Sequence, residues 1–248
     1  MCQARNLDPR ANGPAGRVFY WLDKLTASGL GTSKIHVHQG QVAMSEDQPQ
    51  IYLVTPQSFE LGGFSNDLSR LLDSFEIACV RLRAGEDDAA ELGRRADALR
   101  EICHARDVPL VIETHVSLAV SHGLDGVHLT NGARQVRDAR KELASDAIVG
   151  AFCEDSRHTG MTAGEAGADY VTFGPVAPGT LATTPVVARE VFEFWSEAIE
   201  LPVVAEGGIT PDVAADLASV VDFLALGAEI WSHGAGPDAA LRAILDRF

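Results

Sequence analysis

Lysine is nearly missing from this sequence. After position 50 there is only Lys141, and the remaining two are Lys24 and Lys34, so Schiff-base chemistry has almost nothing to work with. Cysteine is scarce too. Cys2, Cys79, Cys103 and Cys153 share no close spacing, which argues against a thiolate zinc cage and a disulfide scaffold and fits a reducing cytoplasm. No apolar run approaches the ~18 residues of a membrane-spanning helix, so no membrane partner is expected. Residues 1–16 lack an apolar leader core, and no secretory signal is read there. Positive charge is short as well: 20 Lys and Arg face 35 Asp and Glu, a formal charge of −15. The first 50 residues are almost balanced, so the excess lies beyond them. A body this acidic repels phosphate backbones, which excludes nucleic acid as the expected partner.

What is present divides at about residue 50. Residues 1–49 mix Gly, Gln, Asn and Ser around one short apolar stretch at 18–22, and read as a poorly ordered extension. Met44 is an alternative start, which would leave residues 1–43 outside the native protein. From residue 50 to 248, short β-branched runs alternate with longer amphipathic ones, the signature of βα units on a parallel sheet. Strands are expected at 51–55, 77–82, 109–113, 126–129, 147–152, 170–173, 203–205 and 223–226. The clearest helix spans 87–106, with Leu92, Ala96, Leu99 and Cys103 at helical spacing. Another opens at Thr210-Pro211, a hydroxyl cap followed by proline. Eight such units match a (β/α)8 TIM barrel near its lower size limit of roughly 200 residues. An open doubly wound sheet is disfavoured, because no G-x-G-x-x-G follows the first strand.

Barrel chemistry sits at the C-terminal ends of strands. There the sequence offers Arg81 and Arg83, Glu113, His128, the Cys153-Glu154-Asp155 loop, Gly174, Glu206-Gly207-Gly208 and Gly227-Ala228. Glycines after strands seven and eight let bare backbone N–H groups approach a phosphate, although they also make tight turns. Arg81 and Arg83 flank Leu82 and point one way; they form either an anion site or ion pairs with Glu113 or Glu206. His128 alternates with Val127 and Leu129, as a proton donor at a strand end or as a filler of the barrel layer. His115 can reach the mouth. Glu113 and Glu206 serve as acid and base or as partners of the arginines. Cys153 reads as a small apolar residue rather than a nucleophile. No spacing points to a metal site.

Taken together, Ile51-Tyr52-Leu53-Val54-Thr55, Val80-Arg81-Leu82-Arg83, Asp125-Gly126-Val127-His128-Leu129, Gly167-Ala168-Asp169-Tyr170, Phe173-Gly174-Pro175-Val176 and Gly207-Gly208-Ile209 resemble the thiamine phosphate synthase/TenI family in order and separation. The resemblance covers roughly residues 51–248. It implies a (β/α)8 barrel and a place in thiamine biosynthesis. Synthases of this family join a pyrimidine diphosphate to a thiazole phosphate with magnesium, and the TenI branch includes isomerases of the thiazole phosphate.

Carried over by position, Gly207 and Gly208 fall on the family's phosphate-binding glycines, while Gly227-Ala228 replace a serine-containing turn. Arg83 falls on a diphosphate-binding arginine and His128 on the family histidine. Elsewhere the pattern departs. Arg81 stands for a glutamine, Gly85 for a lysine, Glu113-Thr114 for Asn-Asp, and 130–133 for Gly-Gln-x-Asp; the loop at 178–184 lacks its lysine. Both aspartates that would hold Mg2+ are therefore absent, and a diphosphate leaving group loses charge neutralisation. The histidine that the isomerases carry after strand five is replaced by Cys153, Glu154 and Asp155, of which Glu154 or Asp155 would have to exchange the proton. Three readings follow: a synthase-like transferase with Glu113 as metal ligand, an isomerase of a small phosphorylated ring, or a non-catalytic binder of a phosphorylated ligand. Helix faces of such barrels can pair into a homo-oligomer without any motif.

Overall fold

Strands of a parallel barrel are covered on both sides, by helices outside and by one another inside, so their sequences are nearly continuous apolar runs. All eight expected runs form strands. The computed structural model describes residues 48–85, 88–178 and 185–248. Its strands are β1 (Gln50–Val54), β2 (Ile77–Leu82), β3 (Leu110–Glu113), β4 (Gly126–Leu129), β5 (Ile148–Phe152), β6 (Tyr170–Phe173), β7 (Val203–Glu206) and β8 (Phe223–Leu226). Each pairs in parallel with the next, and β8 closes on β1. The fold is a (β/α)8 barrel. The ends of β1, β3, β5 and β7 differ from the expected ones by a residue, and the other four strands match. β3 begins after Pro109, which has no N–H to give a ladder, and β7 continues through Glu206, which pairs with Ala225. The extension expected over 1–49 lies outside the described residues except for Gln48 and Pro49, as does 179–184 of the loop after β6.

The helices are α1 (Leu61–Ser74), α2 (Ala89–His104), α3 (Val116–Ser121), α4 (Val136–Glu142), α5 (Arg157–Ala166), α6 (Arg189–Ala198), α7 (Pro211–Leu217), α8 (Ala228–Trp231) and α9 (Pro237–Leu245). In α1, Phe64, Leu68, Leu71 and Leu72 recur on one face and are buried against the barrel. Each such burial contributes about 1.5–3 kcal/mol. α2 is shorter than its apolar pattern, because the Asp88 carboxylate accepts from Glu91 N at 2.8 Å and caps it there. α7 starts where expected, with the Thr210 hydroxyl accepting from Val213 N. Among the described residues no helix is long and apolar enough to cross a membrane.

Strand alternation divides the core in two. Tyr52, Cys79, Val111, Ile148, Tyr170, Val204 and Phe223 fill the barrel. Leu82, Val127, Leu129 and Phe173 point outward beneath the helices, and Trp195 of α6 packs down onto Phe173.

One device recurs at the base. Asp125, Asp169 and Asp222 each directly precede an even-numbered strand. Asp125 N donates to Leu110 O at 3.0 Å, and Leu110 N donates back to Asp125 Oδ2 at 2.7 Å. Asp169 makes the same two bonds with Val149, at 2.8 and 2.8 Å, and Asp222 with Val203, at 3.0 and 2.8 Å. Each aspartate thus clasps one residue of the strand before it. The Asp169 carboxylate is buried and is also paired with Arg140. Asp169→Ala is expected to lower stability by about 1.5–3 kcal/mol, the usual worth of a hydrogen bond to a charged group. Urea unfolding would measure it, and an unchanged midpoint would show that the clasp carries no load.

Candidate functional site

At the C-terminal rim, β2, β3 and β7 bring three charged side chains together. The Arg81 side chain is only 2% exposed. Its guanidinium forks onto Glu206: Nη1 donates to Oε2 at 3.0 Å, and Nη2 donates to Oε1. Arg81 Nε also lies 3.3 Å from Glu113 Oε1. Arg83, 43% exposed, approaches the same Glu113 oxygen at 3.7 Å. Of the two readings of the arginine pair, Arg81 therefore takes the ion-paired one, with both carboxylates, whereas Arg83 stands at the opening with one long contact among the described residues. Burial works to lower the Arg81 pKa, but Glu206, Tyr52 and Glu113 outweigh it and hold the guanidinium charged. Burial raises the Glu113 carboxyl above the usual range, against the pull of Arg81 and Arg83.

Beneath this cluster runs a polar chain. His128 Nδ1 lies 2.9 Å from the Tyr170 hydroxyl, which lies 2.7 Å from the Tyr52 hydroxyl. The Arg81 guanidinium sits 5.7 Å from the centre of the Tyr52 ring. Gly150 makes room for this chain, since a Cβ there would meet Tyr170 Cζ at 2.0 Å. Burial, helped by the Arg81 charge, pushes the His128 pKa well below its ordinary value, so the ring is neutral. His128 is thus a hydrogen-bonded member of the barrel layer. Burial likewise keeps both tyrosines protonated.

The loops after β6, β7 and β8 form the other half of the rim. Val176 N donates to Gly207 O at 2.8 Å, fastening the β6 loop onto the β7 loop. Gly207 and Gly208 take left-handed φ values of 84° and 81°. A Cβ on Gly208 would come within 2.9 Å of both Ala177 Cβ and Ala177 O. The backbone so bent aims its N–H groups at one carboxylate. Gly208 N donates to Glu229 Oε1 at 2.7 Å and Ile209 N at 3.3 Å, while Gly227 N donates to Oε2 at 2.9 Å. Three N–H groups from two loops thus converge on a single anion. Ala228 opens α8 beside them, and Trp231 Nε1 donates to Val54 O at 2.7 Å, tying α8 to β1.

The profile of the family described as thiamine monophosphate synthase matches residues 51–230. The chain belongs to the thiamine monophosphate synthase family. Among relatives of the same family, the thiamine-phosphate synthase of Rhodospirillum centenum is 41% identical over 194 residues, covering 77% of this chain and 94% of that protein. The thiamine-phosphate synthase of Erythrobacter litoralis is 38% identical over 199 residues, covering 77% and 92%. The solved thiamine phosphate pyrophosphorylase of Pyrococcus furiosus superposes with a TM-score of 0.68 at 22% identity, over 80% of this chain and 96% of that one, a likeness of fold.

Magnesium is the metal this family implies, and the described residues offer it little. No group of three His, Cys, Asp or Glu side chains that could hold a metal occurs among them. Glu113 and Glu206, the carboxylates at the rim of β3 and β7, already face guanidinium groups. Among the described residues the donor set does not fit a Mg2+ site.

The strand-five loop stands apart from these pairs. Cys153 is buried and its thiol is pushed up to about 12, mainly by burial, which leaves it without thiolate character. Glu154 is exposed, with a left-handed φ of 54°, and its carbonyl accepts from Gly174 N at 3.2 Å. His115 Nδ1 lies 2.7 Å from the Glu113 carbonyl oxygen. Sequence reasoning missed Glu229, Tyr52 and Tyr170. The signal for Glu229 was its place two residues beyond Gly227, where an acidic side chain can fold back onto the glycine's own N–H.

Proposed function

We propose that this member of the thiamine monophosphate synthase family binds a phosphorylated thiazole by its phosphate, at the N–H groups of Gly208, Ile209 and Gly227. The observation that carries the reading is their convergence on one anion from the loops after β7 and β8. Phosphate oxygens and carboxylate oxygens ask for the same donors in the same short geometry. Gly207 and Gly208 supply the backbone bend, and Gly227 with Ala228 the opposite wall. Arg83, its side chain 43% exposed, supplies a cation at the opening for a second anionic group.

Joining that ring to a pyrimidine diphosphate would need neutralisation of the leaving diphosphate. Arg81 is committed to Glu206 and Glu113, and the described carboxylates do not assemble a magnesium site. The reading is therefore binding without the synthase step. Full-length protein titrated with the thiazole phosphate is expected to bind it equally with magnesium and with a chelator, and to form no thiamine phosphate when the pyrimidine diphosphate is added. Magnesium-dependent product formation at ordinary turnover, about 1 s⁻¹ or faster, would overturn it.

A second reading, isomerisation of the bound ring, draws on Glu113. Its carboxyl sits at the mouth with a pKa raised by burial, the direction that suits a group exchanging protons near neutral pH. Glu154 is the exposed alternative on the strand-five side.

A further inference from the structure

The anion in the nest belongs to the chain itself. We infer that Glu229 is a built-in competitor for phosphate: its carboxylate fills the Gly208–Ile209–Gly227 nest, and a phosphate group enters only by displacing it. The inference rests on the reading that this nest is a phosphate site. Both carboxylate oxygens are used, Oε1 by the β7 loop and Oε2 by the β8 loop. One side chain therefore staples the two loops together in the arrangement that a bound phosphate would impose. The pre-organisation comes with self-occupancy. A phosphate and the carboxylate cannot share the donors, because their like charges would lie within hydrogen-bonding distance of the same N–H groups. Glu229 has a way out. It is half-buried beside exposed Ala228, at the second position of a four-residue helix, so a rotamer change carries its carboxylate toward water.

The apparent affinity of such a site equals its intrinsic affinity multiplied by the fraction of molecules whose nest is open. Removing the carboxylate opens every molecule. Glu229 thereby sets a threshold for occupancy: ligands must bring enough contacts elsewhere in the mouth to displace it, and free inorganic phosphate, which brings none, is discriminated against.

The test uses full-length, ¹⁵N-labelled protein titrated with inorganic phosphate, following the amide resonances of Gly208, Ile209 and Gly227. Glu229→Ala is expected to bind phosphate at those amides at least roughly tenfold more tightly than wild type. Glu229→Gln, which keeps the shape and loses the charge, should fall between them, and it carries the test should Glu229→Ala fail to give a folded spectrum. Equal affinity of wild type and variants at these amides would overturn the competitor and leave the phosphate reading standing. Absence of any phosphate response at these amides in all three proteins would overturn both.

Discussion

Arg81→Met is expected to cost about 3–5 kcal/mol of stability at neutral pH, the range seen when one member of a buried ion pair is removed. The side chain is of similar length, so the cavity term is small and the loss is electrostatic. Without the guanidinium, Glu206 and Glu113 are left together at the C-terminal end of β2, with Arg83 too far out to replace two short contacts by one at 3.7 Å. The pH dependence gives the cause away. Glu113 already has a folded pKa above its free value of 4.5. The folded protein therefore takes up this proton more readily than the unfolded chain, and stability rises as pH falls through the folded pKa toward 4.5. Removing Arg81 removes a lowering pull, so in the variant the gain starts at higher pH and is larger. Urea midpoints of variant and wild type should accordingly converge between pH 7 and pH 5. A gap that stays constant would mean that packing, not charge, accounts for the loss.

Gly208→Val should abolish phosphate binding, a loss of roughly a hundredfold or more, since at least two charge-assisted N–H contacts go with it. The φ of 81° is hostile to a β-branched residue, and the new Cβ would lie 2.9 Å from Ala177 O, a backbone atom that cannot swing aside. The β7 loop must move, taking the N–H groups of Gly208 and Ile209 off the Gly227 side of the nest. The barrel itself should persist, because the loop lies beyond the last paired residue of β7. Titration with the thiazole phosphate, alongside circular dichroism, would check this. A folded variant with wild-type affinity would remove the nest from the binding site.

The fold was legible because burial on both faces forces strand sequences into apolar runs that no surface segment imitates. Errors fell at strand ends, where the pattern is silent: the Pro109 boundary follows from a missing N–H, and the Glu206 extension from a pairing with Ala225 that only the closed barrel creates. At the rim, glycines marked the loops after β7 and β8; Gly207 and Gly208 take left-handed backbone, which has few other occupants, while Gly227 has a φ of −129°. What filled them was hidden. Glu229 lies 21 residues from Gly208 and, in sequence, is an ordinary acid in the first turn of a helix. The commitment of Arg81 was hidden for a related reason. An inward arginine looks the same whether it awaits a ligand or is held by a carboxylate 125 residues away. The Tyr52–Tyr170 contact joins residues 118 apart, and nothing in their local surroundings announces it.

The aspartate clasps at the base have an architectural consequence. The strand-to-strand bonds close within β3–β4, β5–β6 and β7–β8, and two of the carboxylates also reach backwards, Asp125 to His104 on α2 and Asp169 to Arg140 on α4. Over this part of its circumference the barrel is stitched in twos, although its ladder runs unbroken around the ring. A chain break between β6 and β7 keeps both partners of every clasp, and of the Asp125–His104 and Asp169–Arg140 pairs, on one piece, whereas a break between α4 and β5 parts Asp169 from Arg140. New chain ends and inserted domains are expected to be tolerated best at that seam, where the last two strands leave with their own clasp.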